Sequence, residues 1–200
     1  MTQAIDISPV GQATVEILSL FPKQGEWTEA DYFRLPETNR IIELSKGKLI
    51  MTPAPTTQHQ KISGKLYFSL YGYVSENNLG EVCYSPLDVR LWEGNIRQPD
   101  ITFMSNEHLD RITRQFWGIP DLVIEILSES TIDVDKESKY LEYKKAGIPE
   151  YWIIDPFRQI IEVFALEGGD YITFGRWGIG KIAKSKLLDG FEVRVDEIMD

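Results

Sequence analysis

Residues 122–127 read LVIEIL, a run in which only Glu125 is not apolar. A run this short and this apolar is typical of a β-strand that is buried on both faces. A chain that contains such a strand must cover both faces of its sheet, which favours an α/β fold. A carboxylate inside the run is costly unless it is paired or bound to a metal, so the same feature marks a candidate site.

The remaining patterns supply the other elements of a central mixed β-sheet flanked by helices. Apolar residues at helical spacing predict a long helix over 57–77, ended by Gly80, and a second helix over 135–146. A capping-box sequence at 28–31 predicts a short helix that ends near Pro36. Strands are predicted at 41–44, 48–51, 81–85, 87–91, 98–104, 122–127, 151–154 and 160–165, with one or two short ones beyond Gly168-Gly169.

The domain organisation is simple. Residues 1–25 show no clear periodicity and are expected to form a loosely ordered N-terminal arm, which leaves 26–200 as a single domain. We find no secretory signal and no apolar stretch of the length that a membrane requires, so we expect a cytoplasmic protein without a membrane partner. The single cysteine excludes an intramolecular disulfide and a zinc site built from thiolates.

The net charge argues against tight, non-specific binding to DNA. The chain has 21 Lys and Arg against 31 Asp and Glu, a net charge of −10. Polyanions are attracted to basic surfaces, so DNA binding by this chain requires that its cations cluster around the site.

Asp100 is the second candidate carboxylate. It follows Pro99 just inside the strand predicted at 98–104. Two carboxylates on neighbouring strands can together hold a hard cation such as Mg²⁺, which prefers oxygen ligands. Each residue also has a structural explanation: Glu125 as half of a buried ion pair, and Asp100 as a turn residue after proline.

Lys139 lies four residues after Asp135, so the two share one face of the predicted helix. From these residues alone, a solvated ion pair explains them better than a catalytic role.

Four separated motifs, spread over about residues 28–165, resemble the Uma-two family of restriction-endonuclease-like proteins. Pro99-Asp100 followed by Glu125 also resembles the signature of the PD-(D/E)xK nuclease superfamily. The motifs are IELSKGKLIMTPAPTTQH, RQPDITF, PDLVIEILSEST and DKESKYLEYKKAGIPEYWIIDP.

The resemblance implies a restriction-endonuclease-like fold with a metal site. Asp100 and Glu125 match the two acidic ligands, and the main-chain carbonyl of Ile126 is the implied third ligand to Mg²⁺ or Mn²⁺. The superfamily has a lysine two residues after the second acid, where this chain has Leu127. The family pattern instead has a lysine on the following helix, which corresponds to Lys139.

Three further positions match the family pattern: Glu43, His59 and Asp135. The resemblance makes Glu43 a further ligand to metal or water. It makes His59 a partner of the metal ligands or a proton carrier near neutral pH. A local hydrogen bond at the start of the long helix is the alternative for His59.

The function implied by the resemblance is a metal-dependent endonuclease that hydrolyses phosphodiester bonds in DNA, with Asp100, Glu125 and Lys139 as its catalytic residues. A nuclease fold without turnover, serving as a binding or regulatory module, is the alternative that Leu127 and the acidic charge favour. A hydrolase of another phosphate ester is a third. Nucleases of this type often act as homodimers, but no interface is recognisable in the sequence.

Overall fold

The computed structural model describes residues 21–36, 40–128 and 134–200, except for the side chains of 134–136. Residues 1–20 of the predicted arm at 1–25 therefore lie outside the described residues. The helices are α1 (Glu29–Tyr32), α2 (Thr57–Glu76), α3 (Val134–Ala146) and α4 (Val195–Met199), with a 3-10 helix at Asn106–Arg111. The strands are β1 (Ile42–Ser45), β2 (Lys48–Met51), β3 (Gly80–Tyr84), β4 (Val89–Trp92), β5 (Asn95–Arg97), β6 (Ile101–Ser105), β7 (Leu122–Ile126), β8 (Glu150–Asp155), β9 (Ile160–Glu167), β10 (Asp170–Gly178), β11 (Ile182–Lys184) and β12 (Glu192–Arg194).

A six-stranded sheet in the order β10-β9-β8-β7-β6-β3 forms the centre of the molecule. Strands β7 and β8 are parallel, and the other neighbours are antiparallel. A smaller sheet has the order β2-β1-β5-β4, and β11 pairs with β12. The predicted fold class, a mixed sheet flanked by helices, is confirmed.

Both faces of β7 are covered, as its apolar sequence predicts. Ile124 and Ile126 belong to a core that includes the inner face of α2. Val123 and Leu127 belong to a second core that includes Tyr143 of α3. Helix α3 connects the parallel strands β7 and β8, so it must cross over one face of the sheet. That face is the one to which alternation assigns Glu125.

The strand predicted over 98–104 is confirmed over 101–104, but its predicted start is wrong, because the chain leaves one sheet and enters the other at this point. Residues 95–97 form β5 in the smaller sheet, and β6 begins only at Ile101. Pro99 has no N–H to donate to a sheet, and Gln98 N–H donates to the Glu43 side chain at 2.9 Å. Asp100 consequently lies immediately before β6 and not inside a strand.

Two other predictions need correction. Helix α2 ends with Asn77 as its C-cap, and Gly80 instead begins β3 with φ 153°. A Cβ at position 80 would collide with the carbonyl of Met104 on β6, so glycine is required by the close approach of two strands. Beyond Gly169 the chain forms the nine-residue strand β10, then β11, β12 and α4, which is more than the predicted one or two short strands.

No helix in the described ranges combines the length and the apolarity that crossing a membrane requires.

Candidate active site

A cavity of about 610 Å³ opens where α2 begins, between the β1–β2 hairpin and the end of β7. Its wall includes six of the seven residues that the sequence singled out. They are Glu43, His59, Asp100, Glu125, Ile126 and Lys139. The seventh, Asp135, belongs to the first turn of α3, and its side chain lies outside the described residues.

Sheet register brings Asp100 and Glu125 together. Ile101 of β6 pairs with Ile124 of β7 at the end of an antiparallel ladder. Asp100 precedes Ile101 and Glu125 follows Ile124, so the register brings the two residues close together, and both line the cavity. Asp100 is fixed there because Ile126 N–H donates to its Oδ2 at 2.7 Å. The structure thus places both carboxylates that the sequence singled out on the wall of one cavity.

Glu125 is 8% exposed, and its carboxylate is held by two side chains of α3. Lys139 Nζ lies 3.0 Å from both carboxylate oxygens, and Tyr143 O–H donates to Oε1 at 2.5 Å. Burial raises the pKa of Glu125 to about 7, and the Lys139 ammonium opposes that rise. The negative charge of Asp100 adds to it, because like charges at close range disfavour ionisation.

The Lys139 side chain is only 12% exposed, and surrounding charges favour its protonated form. Burial opposes its protonation, but the negative charges of Glu125, Glu43 and Asp100 outweigh burial and raise its pKa. Besides Glu125, its ammonium contacts Glu43 Oε1 at 3.3 Å. From the sequence alone, Lys139 is explained as the surface partner of Asp135. Its side chain points into the cavity, so that explanation is not needed.

His59 lies at the start of α2, where Thr56 Oγ1 caps the helix by accepting from His59 N–H. Its Nε2 lies 3.3 Å from Asp100 Oδ2, and its Nδ1 is buried without a hydrogen-bond partner among the described residues. Burial opposes protonation of the ring, but the hydrogen bond to Asp100 and the charges of Asp100 and Glu125 raise its pKa. His59 therefore touches a candidate metal ligand directly, as the resemblance implied.

Glu43 has a different environment from the one predicted. Its Oε2 lies 2.8 Å from Arg97 Nη1, and its Oε1 accepts from Gln98 N–H. Burial raises the pKa of Glu43, but the Lys139 and Arg97 charges outweigh it and hold the pKa low. Both oxygens are engaged in this arrangement, and through Oε1 Glu43 positions the ammonium of Lys139.

Arg97 is the important residue that sequence reasoning missed. It is fully buried, and its Nε lies 2.7 Å from Glu142 Oε2 while its Nη2 donates to Ser138 Oγ at 2.9 Å. Ser138 and Glu142 flank Lys139 on α3, so Arg97 fixes this part of the helix against the smaller sheet. Leu44 of β1 pairs with Ile96 of β5, so the register of these two strands places Glu43 opposite Arg97. This register is the feature that explains their contact.

The charges around the cavity are unbalanced. Four carboxyl groups, of Glu43, Asp100, Glu125 and Glu142, surround the two fixed cations of Arg97 and Lys139. When all four are ionised and His59 is neutral, two negative charges are in excess. A divalent cation would offset them, and the carboxylates of Asp100 and Glu125 with the Ile126 carbonyl are oxygen donors of the type that Mg²⁺ prefers.

No group of three or more His, Cys, Asp or Glu side chains in the described part of the chain is arranged to hold a metal ion. The groups that would hold such an ion are the carboxylates of Asp100 and Glu125 and the main-chain carbonyl of Ile126. The ammonium of Lys139 is the cation that now faces both oxygens of Glu125.

The fold that places these residues is similar to that of a solved structure. The crystal structure of a "putative nuclease belonging to DUF820" from Anabaena variabilis superposes with a TM-score of 0.72 and 20% sequence identity. The match covers 86% of this chain and 97% of that one. No curated protein matches the chain.

The Uma2 family model, described as "putative restriction endonuclease", matches residues 29–195. The chain belongs to this family, as its motifs predicted, and is nuclease-like in fold.

Proposed function

We propose that this protein is a metal-dependent endonuclease that hydrolyses phosphodiester bonds in DNA. The observation that carries the proposal is that the carboxyl groups of Asp100 and Glu125 share one cavity wall, with the Lys139 ammonium 3.0 Å from Glu125. Two carboxylates at close range repel each other, and a nearby cation offsets that repulsion. A site that keeps this arrangement beside a cavity has a chemical use for it.

Asp100, Glu125 and the main-chain carbonyl of Ile126 would hold the cation, for which we propose Mg²⁺ or Mn²⁺. A divalent ion at such a site lowers the pKa of a bound water and neutralises charge on a phosphate. The protein keeps the donors ready for it. Ile126 N–H fixes one oxygen of Asp100, and Tyr143 O–H fixes one oxygen of Glu125.

Lys139 would stabilise the negative charge that develops on the scissile phosphate, since its ammonium lies within the cavity wall. Glu43 and Arg97 hold it there through contacts that do not involve solvent. His59, in contact with Asp100, completes the polar wall on the α2 side.

A second candidate function is a binding or regulatory module with a nuclease fold and no turnover. The observation that favours it is that Lys139 already pairs with both oxygens of Glu125, which leaves this carboxylate without a free oxygen. The net charge of −10 favours it too, because DNA is repelled by an acidic surface.

Cleavage of supercoiled and branched DNA in the presence of Mg²⁺ or Mn²⁺ separates the two functions. We expect the wild type to cleave and Glu125→Gln, which keeps the volume of the side chain and an oxygen that accepts from Tyr143, to be inactive while remaining folded. Retention of DNA in a complex without cleavage would favour the binding module. Turnover of small phosphodiesters alone would transfer the same chemistry to another class of phosphate ester.

A further inference from the structure

The outer face of α2 carries an exposed aromatic side chain between two glycines. The inner face of the helix is buried in the core through Ile62, Leu66, Leu70 and Val74. On the opposite face, Gly64, Phe68 and Gly72 follow one another at intervals of four residues, so they lie in one row. Phe68 is 79% exposed, and Tyr71 beside it is 50% exposed.

Packing among the described residues does not explain the two glycines. Within that part of the chain, a Cβ at position 64 or 72 would meet nothing within 4 Å, and neither residue has a positive φ. Glycine is a poor residue for a helix interior because it gains no side-chain contact and loses more backbone freedom than alanine. Small residues on an exposed helix face are explained when another helix must approach closely.

A groove of about 420 Å³ lies beside Phe68, between α2 and the β11–β12 hairpin. Its floor includes the apolar side chains of Ile182, Val193 and Ile198. The same surface therefore has a protruding ring and, beside it, a groove with both apolar and charged lining residues that is large enough to receive a second ring. Two identical subunits related by a two-fold axis contact each other through the same surface. That surface must therefore carry both complementary parts of the contact.

The charges of this surface balance, in contrast with the chain as a whole. Three cations lie on or beside the row and the groove, and three carboxylates lie there with them. They are Lys61, Lys65 and Arg194, and Glu76, Glu192 and Glu197. A balanced surface on a protein of net charge −10 is unsuited to DNA, which requires an excess of cations, and suited to a second copy of itself.

The positions of the charges along α2 agree with antiparallel pairing. If two copies of α2 cross with their Phe68 residues at the two-fold axis, Gly64 of each faces Gly72 of the other. Lys61 then lies beside Glu76 of the second copy, so each contact contains this opposite-charge pair twice.

We propose that the Gly64–Phe68–Gly72 row and the adjoining groove form a homodimer interface in which two copies of this chain pair α2 against α2. The N-terminal end of α2 carries His59 at the cavity. At 1.5 Å per residue, the pairing sets the two His59 positions about 27 Å apart along the helix axes. The inference concerns assembly alone and does not depend on catalysis.

Sedimentation equilibrium over about 1–100 μM, a range that extends from a micromolar Kd to about 100 times that value, tests the interface on the full chain. We expect the wild type to be dimeric at the upper end and Phe68→Glu to be monomeric throughout. Ile179→Glu is the matched control, because Ile179 is a large apolar residue, 50% exposed, that lies outside the row and the groove. It should dimerise as the wild type does.

Gly64→Gln separates the interface from folding. Glutamine is the better helix former and has open space at this position, so the thermal midpoint of the variant should rise or stay equal while its dimer is lost. Lys61→Glu should weaken the dimer at least tenfold, and adding Glu76→Lys to it should restore the affinity.

A wild type that is monomeric at 100 μM overturns the proposal. A dimer that survives both Phe68→Glu and Gly64→Gln does the same. The proposal is also overturned if Phe68→Glu keeps the oligomeric mass of the wild type but binds DNA more weakly, because that result assigns the surface to nucleic acid.

Discussion

Two regions of this molecule contain networks of opposite charges, and they differ in almost every physical respect. Around Arg97 the charges are buried, with the guanidinium side chain 0% exposed and its partners Glu43 and Glu142 at 2.8 and 2.7 Å. At the far end, on β9 to β12, pairs such as Arg176–Glu162 and Lys184–Glu192 are open to solvent at 3.6 and 3.4 Å.

The difference shows where a charge is indispensable. An exposed pair loses little when one partner is removed, because water solvates the other. Removing one member of a buried network leaves an unpaired charge without solvent, which is strongly destabilising. The buried network lies directly behind Lys139, so the region of the fold that is least tolerant of charge removal also positions the candidate catalytic group.

Arg97→Met should have the largest effect on stability. It removes the cation from between Glu43 and Glu142 while keeping most of the volume, and should lower the free energy of unfolding by about 3–5 kcal/mol. Urea unfolding followed by circular dichroism measures it. A loss below about 1 kcal/mol would mean that the buried network behaves like the exposed pairs and that the comparison does not hold.

Lys139→Ala should lower DNA cleavage by about 10²-fold or more, equivalent to about 2.7 kcal/mol in the activation barrier. Metal binding should survive, because lysine is not a ligand. Rate and metal affinity are measured on the same variant. Lys144→Ala, on the same helix but paired with the exposed Asp170, is the control and should cleave normally. Wild-type cleavage by Lys139→Ala would restrict Lys139 to a structural role.

Asp100→Ala should weaken binding of Mn²⁺ by at least about tenfold, since even partners of metal ligands contribute that much. Calorimetric titration against the wild type measures the loss. Asp170→Ala removes an exposed carboxylate and should leave the affinity unchanged. Equal affinities in Asp100→Ala and the wild type would remove Asp100 from the metal site.

Arg176→Met should have the smallest effect, within about 1 kcal/mol of the wild-type free energy of unfolding. It is the exposed counterpart of Arg97→Met and uses the same unfolding experiment. High salt should abolish even this difference, because exposed pairs are screened. A loss as large as that of Arg97→Met would show that exposure does not separate the two networks.

The sequence predicted those parts of the site that depend on local pattern. The apolar run around Glu125 identified a strand buried on both faces, and the motif identified Asp100 and Lys139 as its companions. The register of β6 against β7 and the crossover of α3 then bring all three together.

Arg97 and Glu142 could not be found in the same way. Glu142 lies in a helix rich in charged residues, and Arg97 adjoins a turn, so both have the local sequence of exposed positions. They are buried only because α3 packs against the smaller sheet, which is a tertiary effect. The break at Pro99 was missed for a related reason, since strand periodicity continues across the point where the chain changes sheets.

The position of Lys139 on α3 has an evolutionary consequence. Leu127, where the superfamily signature has its lysine, lines the same cavity as Lys139. A lysine at position 127 would therefore belong to the same cavity wall as Lys139. A lineage can pass from one to the other through an ancestor with lysine at both positions, without a stage that lacks the group. Relatives of this protein that appear to have lost a catalytic lysine in a linear alignment can therefore have kept it on a different element.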